Sequence, residues 1–505
     1  MSTVEEDIGV NHKEAPLYEA LCMYEGNRHQ SLHVPGHKDG NTFDGEAMSH
    51  FHSILKIDAT EVDGLDDLHH PTEAIARAQE LAADAFGAEH TFFLIGGSTA
   101  GNLAAALTLC EPGDVILVQR NAHKSVFNGL MLAGAQPVYI LPDIEPGTQV
   151  AAGINPEHLQ MALRKYPQAK AVWITNPNYY GMGQNVTKLA NICHQTGIPL
   201  IVDEAHGAHF GQADVLPSSS LQDGADLVIQ STHKMLTAMT MASMLHVQGP
   251  LIPREKLAGV LAMVQSSSPS YPLMASLDVS RRHLVIKGRT QLSHTVEKLE
   301  RYRADITKEL QHLSVWDKAG DKITCIHSRD PLKWVLTSRH SSITGYQLLE
   351  YLQDKGCIAE MADVRNVVLV FSIDVRDEDI ERTVSMIKKV DEEIGKRQSI
   401  ADRAQAGVTQ DVTGMLSGME SFIEPAIPLR EAFHKKREEV TLQEAIGRCS
   451  AEMIIPYPPG IPLLTPGEII EPVHIEAIRR IKKAGGYFQG ASDEKMEKMF
   501  VLVNL

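Results

Sequence analysis

The chain has 505 residues, which is enough for about two or three domains. Its composition, 43% hydrophobic and 22% charged residues, is that of a globular protein rather than a disordered one. Lys and Arg number 47 against 64 for Asp and Glu, and this net charge of −17 argues against a general nucleic-acid binder, because such proteins need basic surface to meet phosphates.

The cysteines and the N-terminus indicate the compartment. The six cysteines are scattered without a CxxC pair, which is typical of reduced thiols and not of disulfides or a zinc ribbon. The opening MSTVEEDIGV is acidic and lacks the basic and apolar regions of a signal peptide, and no apolar run reaches membrane-spanning length. We therefore expect a cytoplasmic protein with no membrane or nucleic-acid partner.

Short apolar runs alternate with amphipathic helical patterns from about residue 85. This alternation predicts an α/β domain in which helices cover both faces of a mostly parallel sheet. We assign residues 1–45 to an N-terminal arm and residues 46–285 to this large domain. The predicted strands lie in TFFLIGG (91–97), DVILVQR (114–120), PVYIL (137–141), AVWITNP (171–177), PLIVDEAH (199–206) and DLVIQSTH (226–233).

The pattern changes beyond residue 285. A long charged helical stretch and two strand candidates around ITGYQLLEYLQDKG predict a connector helix and a small α+β domain over residues 286–395. Residues 396–417 are polar and apolar-poor, which predicts a linker or an exposed helix. A C-terminal domain over residues 418–505 contains IPYPPGIPLLTPGE, whose prolines favour extended chain and turns.

The letters DEAH at residues 203–206 match the acidic box of a nucleic-acid helicase. That box acts on a magnesium-bound nucleotide, so a phosphate loop of the form GxxxxGK[ST] must precede it. The chain has no such loop, and its only Gly-Lys pair, at residues 395–396, is followed by Arg. Together with the acidic charge, this excludes the helicase reading.

Close histidine pairs are the candidates for a metal site; they are His33 with His37, His69 with His70, and His206 with His209. None is followed by a third ligand at a familiar zinc spacing, and no HExxH motif is present. Since the chain has 23 histidines, close pairs arise by chance. We expect no metal.

An acid and a lysine at the ends of adjacent predicted strands suit pyridoxal phosphate. The pyridine nitrogen must stay protonated for the ring to accept electrons, and Asp203, at a strand end, is placed to pair with it. The aldehyde needs a lysine for its Schiff base, and Lys234 follows the next strand. Each residue alone is ordinary, a helix cap or a surface lysine, but one βα unit separates them, so both can reach one ring.

The same cofactor needs a phosphate cradle and a flat neighbour. GGSTAGN (96–102) lies between a strand and a helix, where backbone N–H groups favour a dianion, and it offers the hydroxyls of Ser98 and Thr99. Ser231 adds a third hydroxyl. His123 follows another strand and is the candidate to cover one face of the ring, although alone it would be interpreted as a structural histidine.

Eight segments spread from about residue 16 to the C-terminus make the chain resemble one family; they are HVPGHKDG, GLDDLHHP, RNAHKSV, TNPNYYG, VDEAHGAHF, STHKM, SSSPSYPLMASLD and YPPGIPLLTPGE. The family is the Orn/Lys/Arg decarboxylases, pyridoxal-phosphate enzymes of fold type I, the aminotransferase-like fold. The length resembles the short branch of biosynthetic-type arginine decarboxylases in bacilli, without the N-terminal wing domain of the long branch.

The resemblance implies roles for individual residues. Lys234 is the Schiff-base lysine, Asp203 pairs with the pyridine nitrogen, and His123 stacks on the ring. His233, before the lysine, touches the substrate carboxylate or relays a proton. The remaining cofactor contacts that we expect are Ser98, Thr99, Ala100 and Ser231 at the phosphate, Ala205 under the ring, His206 at the phenolic oxygen, and Ser267 or Ser268 at the phosphate of a neighbouring subunit. That last contact predicts a homodimer, or a multiple of dimers, with shared sites.

The expected activity is decarboxylation of a basic amino acid, with arginine ahead of lysine and ornithine. Two alternatives stay open: an α-oxoamine synthase, which shares the Asp-Glu-Ala-His clamp and joins carbon units, and a non-catalytic cofactor-binding regulator. The distal cation of the substrate must meet carboxylates, because burying it unpaired is costly. Glu468, which closes an apolar, proline-framed run, is the first candidate; the acid-rich loop with Glu61, Asp63, Asp66 and Asp67 is the second, its alternative being a solvated turn.

Overall fold

A computed structural model of the chain describes residues 10–27, 30–317, 325–401, 421–458 and 460–503, with side chains from 397 to 401 excepted. The helices within these ranges are α1 (Pro16–Gly26), α2 (Met48–Leu55), α3 (Ala74–Phe86), α4 (Gly97–Leu109), α5 (Lys124–Ala133), α6 (Pro156–Lys165), α7 (Val186–His194), α8 (Thr232–Met235), α9 (Arg254–Val264), α10 (Tyr271–His283), α11 (Arg289–Glu309), α12 (Gly345–Asp354), α13 (Asp377–Ala401), α14 (Leu429–His434) and α15 (Pro472–Ala484). A π-helical turn, Leu284–Gly288, joins α10 to α11.

The strands in the same ranges are β1 (His90–Leu94), β2 (Val115–Gln119), β3 (Gln136–Ile140), β4 (Pro142–Ile144), β5 (Ala151–Ile154), β6 (Val172–Thr175), β7 (Met182–Gly183), β8 (Leu200–Asp203), β9 (Leu227–Gln230), β10 (Ser243–Val247), β11 (Leu313–Val315), β12 (Ser328–Arg329), β13 (Lys333–Ser338), β14 (Met361–Ala362), β15 (Asn366–Val370), β16 (Phe422–Ile423), β17 (Arg437–Thr441), β18 (Pro456–Tyr457), β19 (Tyr487–Phe488) and β20 (Lys498–Leu502). The six strands predicted for the large domain are all present. β10, which had not been predicted, adds a strand between β1 and β9.

The large domain is built on an eight-stranded sheet in the order β1-β10-β9-β8-β6-β2-β3-β16. The five strands from β9 to β3 are parallel, whereas β10 and β16 run antiparallel to their neighbours. β1 is antiparallel to β10, so it runs in the same direction as β9. The sheet is therefore mixed but mostly parallel, and β1 and the central strands end at one edge.

Both faces of this sheet are buried, as the unbroken apolar runs predicted. Successive side chains of a strand point to opposite faces. Ile201 of β8 accordingly packs in one apolar cluster with helices α4 and α5, while Val202 packs in the other with helices α3, α7 and α10. This double cover is why the strands contain hardly any polar residue before their carboxyl ends.

The predicted N-terminal arm does not stand apart from the large domain. Leu17 and Leu21 of α1 are fully buried in the same cluster as Val202. The backbone N–H of Leu17 donates to Asp278 at 3.0 Å, and Asp278 is paired with Arg281 at 2.6 Å. Sequence separation hid this packing, because α10 follows α1 by some 250 residues.

The small domain contains an antiparallel sheet in the order β11-β13-β15-β14, packed with α11, α12 and α13. It is joined to the large domain by pairing of β12 with β7. The predicted boundary at residue 395 falls inside α13, which continues to Ala401. Most of the predicted linker, residues 402–417, lies outside the described residues.

The C-terminal unit begins by extending the large sheet, because β16 pairs with β3. The two-stranded sheets β17–β20 and β18–β19 and helix α15 follow, around a small apolar core of their own. Within the described parts of the chain, no helix has both the length and the apolar character needed to cross a membrane.

Candidate active site

The residues predicted to carry the chemistry follow four strands that end at the same edge of the large sheet. Asp203 is the last residue of β8, and Lys234 lies in the short helix α8 after β9. His123 follows β2 and caps α5, and Ser98 lies in the first turn of α4 after β1. Ligands of open α/β sheets bind at this edge, so the arrangement fits a site there.

Lys234 is held by an aromatic pair. Its Nζ lies 3.0 Å from Nε2 of His206 and 5.7 Å from the ring centre of Tyr179, and the two rings are 4.6 Å apart. Burial lowers the pKa of Lys234, and burial with the Lys234 charge keeps the pKa of His206 well below its usual value. A neutral His206 therefore accepts from the lysine, whose amine is easier to deprotonate than in water.

Asp203 is buried and accepts two hydrogen bonds. Oδ2 accepts from Nδ2 of Asn102 at 3.0 Å, and Oδ1 accepts from the backbone N–H of Ala205 at 3.1 Å. Burial raises the pKa of Asp203, and the Asn102 hydrogen bond, the Lys234 charge and the Ala205 N–H oppose that rise. These two donors favour the ionised form of the buried carboxylate, and a cation placed beside Asp203 would favour that form further.

His123 is connected to the same network through Ser125. Nδ2 of Asn102 also lies 2.8 Å from Oγ of Ser125, and that hydroxyl lies 2.7 Å from Nδ1 of His123. Because Asn102 donates to the hydroxyl, the hydroxyl donates to the imidazole, which leaves the proton of His123 on Nε2. Burial lowers the pKa of His123 to about 3, so the ring is neutral and suited to stacking.

The strand-to-helix turn before α4 has the features of an anion cradle. Oγ of Ser231 lies 3.0 Å from Oγ of Ser98, so the segments after β9 and β1 meet there. Gly97 has a φ of +69°, which a side chain would strain. Ala100 is buried and Thr99 is exposed at the start of a 13-residue helix, whose first N–H groups lack helical partners.

The four residues of the acidic box point in different directions. Glu204 turns away from the lysine and accepts from Ser220 at 2.6 Å and from Gln230 at 2.7 Å. Burial raises the pKa of Glu204 to about 7. His206 lies beside Lys234, and the Lys234 charge acts on Asp203; the role of both residues as a cofactor clamp stays a prediction.

His233 lies beside Lys234, and its Nδ1 lies 3.0 Å from the carbonyl oxygen of Ala242. That contact places the ring proton on Nδ1 and leaves Nε2 able to accept. Burial lowers the pKa of His233. By contrast, His209 faces away from the site and pairs with Asp330 at 2.9 Å, so His206 and His209 share no ligand position.

The loop with Ser267 and Ser268 lies between α9 and α10 and is exposed in the single chain. Its neighbour Ser266 accepts at its carbonyl from Nε2 of His69 at 2.8 Å, which ties this loop to the acid-rich loop. The role of the two serines toward a neighbouring subunit stays a prediction.

Glu468 has other partners than the predicted substrate cation. Its carboxylate forms a bidentate ion pair with Arg120, at 3.1 Å from Nε and 2.8 Å from Nη2. It also accepts hydrogen bonds from the backbone N–H and the hydroxyl of Thr465. Both side chains are largely buried, 12% and 7% exposed. The carboxylate thus joins the C-terminal unit to the end of β2, and its charge is already paired with Arg120.

Asp66 is likewise engaged. Its carboxylate accepts the backbone N–H groups of five residues: Asp67, Thr72, Glu73, Ile75 and Ala76. These bonds outweigh its burial and hold its pKa below the usual value. Asp66 therefore organises the start of α3, as the solvated-turn alternative implied, while Asp63 is exposed on the loop.

Sequence reasoning missed three residues that the structure brings to this site: Asn102, Ser125 and Tyr179. Asn102 and Tyr179 stand in the quoted segments GGSTAGN and TNPNYYG, and Ser125 in RNAHKSV. A polar Asn in the middle of an otherwise small and apolar helix was the available signal, because buried amides need partners.

Comparisons with known proteins agree with this geometry. Residues 15–379 match the family model described as Orn/Lys/Arg decarboxylase, major domain, and residues 411–491 match its C-terminal domain. The chain is 39% identical over 498 residues to Uncharacterized protein YaaO of Bacillus subtilis (strain 168), covering 97% of this chain and 98% of that protein. It is 33% identical over 494 residues to the arginine decarboxylase of Halalkalibacterium halodurans, with 97% and 98% covered.

A solved structure extends the likeness to the fold. The lysine decarboxylase LdcF of Francisella novicida has a TM-score of 0.80 at 20% identity, covering 97% of this chain and 81% of that chain. The predicted fold class, an aminotransferase-like large domain with smaller domains after it, is confirmed. The family model spans most of the chain, and the arginine decarboxylase relative matches over nearly its whole length. The chain therefore belongs to the Orn/Lys/Arg decarboxylase family, enzymes that remove CO2 from a basic amino acid.

Proposed function

We propose that the protein decarboxylates arginine with pyridoxal phosphate as cofactor. The observation that carries the proposal is the convergence of Asp203 and Lys234 on one buried site in a chain of this family. Family membership favours this reaction over the α-oxoamine synthase and the non-catalytic regulator.

The residues present fit the cofactor. Lys234 provides a buried amine, and Asp203 provides a buried acid that forms no ion pair with a described residue. The turn at Ser98 and Ser231 provides an anion-binding site. The amide oxygen Oδ1 of Asn102 is buried and has no hydrogen-bond partner among the described residues. A hydrogen-bond acceptor is therefore available to a bound group beside Asp203. When bound, the cofactor supplies a protonated ring that accepts the electron pair released by the Cα–CO2 bond.

The chain's own residues account for the remaining steps. Asp203 keeps the ring nitrogen protonated by its charge, an electrostatic effect that is largest in a water-poor site. Lys234 would hold the cofactor through its amine, and Lys234 and His233 are placed to return one proton to Cα in place of the carboxylate. The balance is one amino acid and one proton consumed, and one amine and one CO2 formed.

Arginine is favoured over lysine by the relatives. The arginine decarboxylase named above is 33% identical to this chain over nearly the whole length of both. The acidic net charge of −17 also suits a cationic substrate. The cytoplasmic location and the homodimer expected from the sequence stay predictions.

The decisive experiment measures CO2 release by the cofactor-loaded protein from arginine, lysine and ornithine at equal concentrations. We expect the highest kcat/KM with arginine. A higher kcat/KM with lysine or ornithine would make that amino acid, and not arginine, the preferred substrate. No CO2 release from any of the three would overturn the proposed function.

A further inference from the structure

The distal cation of a basic substrate needs an acidic partner, and two of the predicted acids, Glu468 and Asp66, are engaged elsewhere. Glu468 is paired with Arg120, and the oxygens of Asp66 accept backbone N–H groups. Burying a guanidinium without a carboxylate is costly, so some other acid must border the site. The small domain provides one that the sequence did not single out.

Glu360 directly precedes β14 at the edge of the small sheet. Its backbone N–H donates to Val368 at 3.0 Å, which holds it in register with β15. The next residue, Met361, belongs to a compact apolar cluster with Tyr180, and Tyr179 packs against that cluster. Since the ring of Tyr179 contacts both His206 and Lys234, the cluster that contains Met361 borders the lysine from the small-domain side, and Glu360 is the residue before Met361.

The electrostatics of the site agree with this placement. Burial lowers the pKa of Lys234, and two carboxylates oppose that shift, first Asp203 and then Glu360. Burial also lowers the pKa of His233 and of the buried Lys333, and the Glu360 carboxylate opposes that shift in both. Asp203 is buried and already accepts from Asn102 and Ala205, whereas Glu360 is exposed.

The side chain of Glu360 is also free to bind. It is exposed, and among the described residues it makes no hydrogen bond and no ion pair, in contrast to Glu468. Lys333, the other charged group near it on the small domain, is fully buried and lies 4.0 Å from Asp330, which already neutralises it. Glu360 thus presents an unpartnered carboxylate to the solvent side of the site.

We propose that Glu360 is the specificity-determining residue that binds the distal cation of the substrate, its guanidinium in the case of arginine. On the exposed, small-domain side of the site, the two oxygens of Glu360 would match the bidentate geometry of a guanidinium. The inference rests on the proposed function and names the cation site within it.

The test compares Glu360→Gln with the wild-type holoenzyme on arginine and on citrulline, its neutral isostere. The neutral amide keeps the shape but loses the charge, so we expect KM for arginine to rise about 10- to 100-fold with a smaller change in kcat. The preference for arginine over citrulline should shrink by a similar factor. Glu360→Asp, which keeps the charge, should restore part of it.

The matched control is Glu350→Gln, an exposed acid of α12 in the same domain that has no hydrogen bond or ion pair among the described residues. It should behave as wild type. A second readout avoids turnover: calorimetry should show weaker binding of agmatine, the amine product of arginine, to Glu360→Gln but not to Glu350→Gln.

Unchanged arginine preference and unchanged agmatine affinity in Glu360→Gln would overturn the inference while leaving the proposed function intact. Absence of CO2 release by wild type would instead overturn the proposed function. In that case the agmatine affinities of the two variants would still decide whether Glu360 binds a distal cation.

Discussion

The side-chain nitrogen of Asn102 lies 3.0 Å from Oδ2 of Asp203, although 101 residues separate them. The same nitrogen donates to Ser125, whose hydroxyl donates to His123. One amide therefore couples the acid and the histidine that were predicted to hold opposite parts of the cofactor. Because this amide is fully buried in α4, its position is set by the packing of that helix on the sheet.

Replacing Asn102 by Ala should lower kcat about tenfold or more, the usual effect of losing a hydrogen bond to a charged group. The bond stabilises the carboxylate form of Asp203, so its loss raises the pKa of that acid further. A more alkaline solution is then needed to ionise Asp203, and the acid limb of the kcat–pH profile should move to higher pH. Thr108→Val, at a buried polar residue of the same helix, is the control; an equal shift there would contradict the coupling.

Replacing Asp203 by Asn should leave cofactor binding largely intact but remove nearly all turnover, because a neutral amide cannot keep the ring nitrogen protonated. The measurements are cofactor content and kcat. If the variant kept more than about a tenth of kcat, a loss below about 1.4 kcal/mol, the electron-acceptor role of this acid would be wrong.

Borohydride reduction of the cofactor-loaded protein should attach the pyridoxyl group to Lys234, the buried amine with the lowered pKa. Peptide mass spectrometry locates the label. Lys234→Ala should take up none under the same conditions. A label on another lysine, for example the buried Lys333, would remove the assignment.

Replacing Glu468 by Gln should lower the free energy of unfolding by about 3 kcal/mol, because it leaves the buried Arg120 without its charge partner. The measurement is urea denaturation, with Glu476→Gln as a control: this exposed acid of α15 lies 4.0 Å from Nε of Arg480, and the loss of so distant an ion pair should cost under about 1 kcal/mol. KM for arginine should stay unchanged in both variants. A raised KM with unchanged stability would restore Glu468 as the substrate acid predicted from the sequence.

The protein should sediment as a dimer or a multiple of dimers, as the family resemblance at Ser267 or Ser268 implies. Specific activity should fall on dilution below the dissociation constant, because a shared site needs both chains. An active monomer would contradict a role for these serines in a neighbouring site.

The order of strands and helices and the positions of Asp203, Lys234 and His123 were predictable, because each follows from a local pattern. An apolar run defines a buried strand, and the polar residue that ends it lies at the sheet edge wherever the strand is placed. The family resemblance rested on the same local segments. Ser98 and Ser231 lie close together for the same reason, because each follows a strand that ends at this edge of the sheet.

Only the tertiary structure decided which acids are engaged and which are free. Glu468 looked available because its partner Arg120 stands 348 residues earlier. Glu360 looked ordinary because the residue after it, Met361, meets the cluster beside Tyr179 only through the packing of the small domain on the large one. The burial of α1 and the joining of β16 to β3 depend in the same way on contacts between distant parts of the chain. Local patterns determine what a residue can donate or accept, whereas the partner that it meets is determined by how the domains pack.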